Sequence, residues 1–121
     1  IVDEEAGVGL SDEVCIACRR DAPMATDAEI ALLYPEVSDW QLEEVQGIKQ
    51  LKRKFRFADF GSALDFVVRV GKSAEEVGHH PLIILEWGQV EVGWWTHKIR
   101  GLHRNDFIMA AKTDFLFRAL N

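Results

Sequence analysis

Two pairs of short alternating runs, divided by one long amphipathic stretch, constrain this 121-residue chain more than any other feature. In the first pair, Trp40 and Leu42 alternate with Gln41 and Glu43, and Gly47 marks a turn. Phe55 and Phe57 then alternate with Lys54 and Arg56. The alternation is imperfect before Phe55, so a bulge or an irregular start is expected there. In the second pair, Leu82 to Leu85 is continuously apolar and Gly88-Gln89 is a two-residue turn signal. Val90, Val92 and Trp94 follow, alternating with Glu91, Gly93 and Trp95. Hairpins join antiparallel strands, whereas parallel strands need long crossovers. The expected fold is therefore α+β: a four-stranded antiparallel sheet with helices packed on one face, in the order α-β-β-α-β-β-α.

The helices announce themselves through caps and periodicity. Thr26, with Glu29 three residues on, forms a capping-box pattern, and Pro35 stops the helix near Tyr34. Asp59 caps a second helix that runs to about Val77. Its polar arc holds Ser62, Asp65, Arg69, Lys72, Ser73 and Glu76. The opposite apolar arc is about twice as wide as one sheet contact requires. Part of it is therefore expected between subunits, with Phe66 at the arc's far edge as the position where a charge should separate them; a deeply buried helix within one small domain is the other reading. A last helix runs from about His103 to Leu120, with Asp106 in its first turn. Residues 1–22 read as a flexible N-terminal arm, and 23–121 as a single domain.

Composition removes several function classes. Hydrophobic residues make up 48% of the chain, enough for one core. The net charge of −6 lacks the basic footprint of a nucleic-acid binder, and the Lys54–Arg56 stretch reads as a solvated strand face. No apolar run is long enough for a transmembrane helix, and no secretory signal is visible. The two cysteines, Cys15 and Cys18, supply at most half of a four-ligand zinc site. They read as reduced or incidental thiols, with a local disulfide or a metal contact as the other readings. Such sparing cysteine use fits the cytoplasm.

Chemistry concentrates between residues 75 and 106. Glu75, His79, His80, His97 and Asp106 gather three imidazoles and two carboxylates. Histidine titrates nearest neutrality, so the group suggests proton transfer. Pro81 holds His80 extended, and adjacent extended residues point to opposite sides. His79 and His80 are thus expected to do different jobs. His97 is expected on the Trp95 side if the strand continues that far. Asp106 is either a plain first-turn carboxylate or the group that orients His97. His103 reads as an exposed cap residue. No metal is expected, because neighbouring imidazoles that point apart do not easily share one ion.

The spacing Glu75-x3-His79-His80-Pro81-x5-Trp87-x9-His97-x8-Asp106 resembles the signature of the pterin-4a-carbinolamine dehydratases. The likeness runs across residues 40 to 113, through Gly47-Ile48, Phe55-x-Phe57-x-Asp59-Phe60 and Gly101-Leu102-x-x-x-Asp106. The arm Cys15-x-x-Cys18-Arg19 with Pro23 is similar to that of bacterial members. The resemblance implies dehydration of 4a-hydroxytetrahydrobiopterin, or a related pterin, to the quinonoid dihydropterin. It implies no cofactor or metal, and a functional link to an aromatic amino-acid hydroxylase through cofactor recycling. His79, His80 and His97 would form the catalytic set. Of these, His79 and His97 would act as acid and base, and His80 would mainly bind the pterin. Glu75, Pro81, Trp87, Thr96 and Asp106 would complete the substrate-binding surround. A homodimer or homotetramer, built through sheet edges and the long helix, is also implied. Two other readings stay open: action on another pterin, as in molybdopterin metabolism, and a non-catalytic dimerisation or coactivator module.

Overall fold

The computed structural model describes residues 9–13 and 23–120. Three α-helices and four strands follow in the expected order: α1 (Asp27–Leu33), β1 (Gln41–Val45), β2 (Ile48–Arg56), α2 (Phe60–Val77), β3 (Leu82–Glu86), β4 (Gln89–Trp94) and α3 (Arg104–Leu120). Short 3₁₀ turns at Leu10–Asp12, Tyr34–Val37 and His97–Ile99 complete the described chain. Cys15 and Cys18 lie outside the described residues. No helix among those residues is long and apolar enough to cross a membrane.

The strands form one antiparallel sheet in the order β1-β2-β4-β3. The two hairpins therefore meet along β2 and β4 in the middle. Gln46 and Gly47 both have positive φ, the conformation a tight two-residue hairpin turn needs. In the second hairpin, Glu86 pairs with Gln89, so the turn residues are Trp87 and Gly88. The expected turn at Gly88-Gln89 is thus shifted by one residue. Gly88 takes the positive φ and Gln89 already belongs to the ladder. The expected bulge before Phe55 is absent, because β2 pairs without interruption with β1 and with β4. The broken alternation there reflects Arg53, which sits on the helix-covered face. Its guanidinium lies 4.5 Å from the Phe55 ring centroid and its charge meets Asp114.

The helices begin and end where their caps dictate. Glu29 N–H donates to Thr26 Oγ1 at 3.1 Å, and Thr26 N–H donates back to Glu29 Oε1 at 2.8 Å. Asp59 accepts from the Ser62 amide at 2.7 Å, which lowers the carboxyl's pKa from its ordinary value. Gly78 ends α2 in the left-handed conformation. Leu10 is buried, and its segment is tied to α3 by a two-point Arg104–Glu13 contact and by Lys112 Nζ donating to the Ser11 carbonyl.

Leu51, Phe55, Val90, Val92 and Trp94 face the helices, and an aromatic cluster of Phe55, Phe57, Phe66 and Phe117 fills the centre. Phe66 is fully buried there, with ring centroids 4.9 Å from Phe55 and 5.3 Å from Phe57. This corrects its expected place at a subunit boundary. The wide apolar arc of α2 divides differently. Ala63, Phe66, Val70 and Ala74 are buried, whereas Phe60, Leu64 and Val68 form a stripe left 44%, 43% and 42% exposed. Phe66→Asp should therefore unfold the domain rather than separate subunits, seen as loss of the cooperative circular-dichroism transition.

A charged contact joins α3 to the sheet across the core. Asp114 on α3 accepts from Trp40 Nε1 at 2.8 Å and from Arg53 at 2.6 Å. Burial pushes the Asp114 carboxyl up, against the opposing pull of both partners. Asp114→Ala strands a buried indole N–H and part of a guanidinium. It should cost about 2–4 kcal/mol in denaturant unfolding, with the fold retained. A loss under about 0.5 kcal/mol, the usual size of a neutral surface change, would contradict this bracing role.

Candidate active site

The end of α2 and the end of β4 converge at one margin of the sheet. Val77, Gly78, His79, His80, Pro81, Thr96, His97 and Lys98 line an open cleft of about 310 Å³ there. That lies at the lower end of the range for small-molecule sites, roughly 300–1,000 Å³. A larger depression of about 510 Å³ opens on the outer sheet face near Gln41, Glu43, Lys52 and Glu91. No imidazole lines it, whereas His79, His80 and His97 line the smaller cleft.

His79 is the buried member of the pair. Gly78 turns the chain sharply out of α2, and the His79 amide still donates to the Ala74 carbonyl at 3.2 Å. Its ring lies 5.2 Å from the indole of Trp94. Nε2 donates to Asp106 Oδ1 at 2.7 Å. Asp106 has no exposed surface, and its Oδ2 accepts from Thr96 Oγ1 at 2.7 Å and from the His103 amide at 2.9 Å. A buried carboxylate is tolerable only with such a set of donors. The contact fixes which nitrogen of His79 carries the proton toward α3. Of the two readings open for Asp106, a plain first-turn carboxylate or a partner of His97, neither describes it in full: it is a first-turn carboxylate that meets His79. The helix geometry explains this: Asp106 sits in the first inward turn of α3, facing the end of α2.

His80 points the other way and is exposed, as the alternation at Pro81 predicts. Its Nε2 contacts Glu75 Oε1 at 2.8 Å. Glu75, one turn before His79, therefore serves His80 and stands at the cleft's outer margin.

His97 reaches the cleft by a different route from the one expected. β4 ends at Trp94, and His97 opens the 3₁₀ turn His97–Ile99. That turn is closed by an isolated bridge in which the Thr96 amide donates to the Gly101 carbonyl at 2.8 Å. Arg100 caps it with φ +52°, a left-handed conformation uncommon for a residue with a side chain. The His97 ring meets Trp95 with centroids 4.7 Å apart.

The cleft thus brings together His79, His80, Pro81, Thr96 and His97, with Asp106 behind and Glu75 beside. It does not include Trp87, which lies at the tip of the β3–β4 hairpin, 72% exposed, at the opposite end of β3 from Pro81. The sequence reading passed over Lys98, Trp94 and Trp95 as parts of the site. The adjacent tryptophans were legible as an inward and an outward residue of one strand, but not as ring partners for histidines. His103 is half-buried rather than exposed, and its Nδ1 accepts from the Asn105 amide at 3.1 Å. Among the described residues, no three His, Cys, Asp or Glu side chains group closely enough to hold a metal ion.

The family profile described as pterin 4 alpha carbinolamine dehydratase matches residues 23–116. A relative from Gloeobacter violaceus, provisionally named pterin-4-alpha-carbinolamine dehydratase 1, is 54% identical over 107 residues, covering 88% of this chain and 92% of its own. One from Nitrosococcus oceani, with the same provisional family name, is 53% identical over 109 residues, covering 90% and 96%. A crystal structure from Brucella melitensis, described as a transcriptional coactivator/pterin dehydratase, superposes with TM-score 0.70 at 29% identity, covering 78% of this chain and 98% of that one. This chain belongs to the pterin-4a-carbinolamine dehydratase family.

Proposed function

We propose that this protein dehydrates a 4a-hydroxytetrahydropterin, of which 4a-hydroxytetrahydrobiopterin is the type, to the quinonoid dihydropterin. The observation that carries the reading is the buried His79–Asp106–Thr96 network opening onto a cleft that His80 and His97 also line. The reaction removes hydroxide from a ring carbon and a proton from a ring N–H, and releases one water. No electrons are gained or lost. It therefore needs an acid at the leaving oxygen and a base at the N–H.

His79 and His97 suit these roles because they belong to different segments and can address different atoms of one bound ring. Asp106 accepts from His79 Nε2, which fixes the tautomer and supports the imidazolium when the ring takes up a proton. His80 contacts Glu75 at the open side, which supports a part in binding the pterin rather than in exchanging its protons. Pro81 fixes the extended backbone at His80 and lines the cleft wall. In the cell, the reaction would recycle tetrahydrobiopterin behind an aromatic amino-acid hydroxylase in the cytoplasm.

His79→Ala and His97→Ala should each lower kcat by about 10²–10⁴, the usual size of an acid–base contribution. His80→Ala should mainly raise KM. A hydroxylase-coupled assay that supplies the carbinolamine reads all three. Near-native turnover in both His79→Ala and His97→Ala would remove the assignment. A preference for a different pterin in the same assay would favour the molybdopterin-related reading.

Assembly belongs to the same proposal. The exposed Phe60–Leu64–Val68 stripe on α2 supports a homodimer or homotetramer through that helix. Leu64→Glu should leave the circular-dichroism spectrum native and reduce the sedimenting mass. A native protein that sediments as a monomer at micromolar concentration would exclude this interface. The Brucella melitensis protein is also described as a coactivator, which keeps a non-catalytic module as the second reading. Partner binding that survives loss of all three histidines, in a protein without dehydratase turnover, would favour it.

A further inference from the structure

Trp94 ends β4 and Trp95 follows it, and the extended chain sends them to opposite faces of the sheet. Trp94 points into the core, where its Nε1 donates to Thr113 Oγ1 at 3.1 Å and its ring meets His79. Trp95 lies half-buried on the outer face, where its ring meets His97 at 4.7 Å with an interplanar angle of 36°. We propose that Trp95 is a positioning residue that holds the His97 imidazole in the cleft. The inference rests on the reading of His97 as an acid–base group.

Gly93 is the second, independent observation. Glycine is unfavourable in the middle of a strand and often marks a close approach. Gly93 is buried and pairs with both Lys52 and Leu82. A Cβ built there would stand 3.4 Å from Trp95 Cζ3 and 3.5 Å from Leu82 Cβ and Lys52 Cγ. These are ordinary van der Waals separations, so a methyl group would rest against all three side chains, and the branches of a valine would press on the indole. The indole lies back over the strand at Gly93. In that position its ring also reaches His97, two residues further along the chain.

His97 needs such support because little else fixes it. It is exposed, β4 has ended, and its 3₁₀ turn contains only three residues. An exposed imidazole samples several rotamers, and each unproductive one lowers the fraction of molecules ready to react. A flat neighbour of fixed orientation reduces that sampling. The offset, tilted arrangement lies within the separations favoured by aromatic rings.

The test compares Trp95→Leu, Trp95→Phe and Gly93→Val with the native chain, each as the full protein. Two readouts are used: proton NMR shifts of the His97 ring, assigned by their loss in His97→Gln, and steady-state kinetics. The indole's ring current should displace the His97 signals. Trp95→Leu and Gly93→Val should return them toward exposed-histidine positions, and Trp95→Phe should keep part of the displacement. In parallel, kcat should fall at least about tenfold in Trp95→Leu, with KM little changed and partial rescue by Trp95→Phe. Unchanged His97 shifts in Trp95→Leu would overturn the proposal, as would full turnover in a variant that loses only thermal stability. If the native protein shows no dehydratase turnover, the functional reading fails, while the NMR comparison still decides whether Trp95 holds His97.

Discussion

A carboxylate with no solvent contact must be surrounded by donors, and Asp106 is surrounded by groups from three separate segments. His79 comes from the end of α2, Thr96 from the exit of β4, and the His103 amide from the entry to α3. The side chain of one residue therefore fastens together the three places where the chain turns beside the cleft. It also adds negative charge at the N-terminus of α3, where the helix dipole favours it. The cost of leaving such a group unpaired is several kcal/mol, enough to hold these segments in register. The same oxygen atoms would serve both the stability of the fold and the proposed chemistry of His79.

The rest of the fold delivers the segments to that point. α2 must end at Gly78 so that His79 turns inward and His80 outward. β4 must end at Trp94 so that His97 can swing into the cleft. The 96–101 turn is closed by its own bridge and by Arg100 in a left-handed conformation. Strain of that kind persists when the surroundings over-determine it, and it often marks functional segments. The Trp40–Asp114–Arg53 contact on the far part of α3 braces the helix that carries Asp106.

Much of this was legible in the sequence because it is local. The Thr26 and Asp59 caps, the Gly47 turn and the period-two runs each act within a few residues, and they set the order of elements. Pro81 likewise foretold that His79 and His80 part company. What could not be read was the choice among distant partners. Asp106 takes His79 and not His97, because only the packing of α3 against α2 decides which imidazole it meets. Phe66 is core while Leu64 and Val68 are exposed, because a wide apolar arc does not say which half faces the sheet. Trp87 has the spacing of a site residue, but β3 carries it away from the cleft. The one-residue shift of the β3–β4 turn shows the same limit at short range: Gly88 takes the positive φ, whereas the ladder decides that Gln89 is already paired.

In the proposed reaction, His79 and His97 address a single pterin ring in one cleft while Asp106 holds His79 from behind. A crystal structure with a bound dihydropterin tests this most directly. The account predicts the ring inside the cleft lined by His79, His80 and His97, with the His79 and His97 imidazoles each within hydrogen-bond distance, about 3 Å, of a ring atom or its 4a substituent. A pterin bound on the outer sheet face, or one in the cleft that touches neither His79 nor His97, would contradict it.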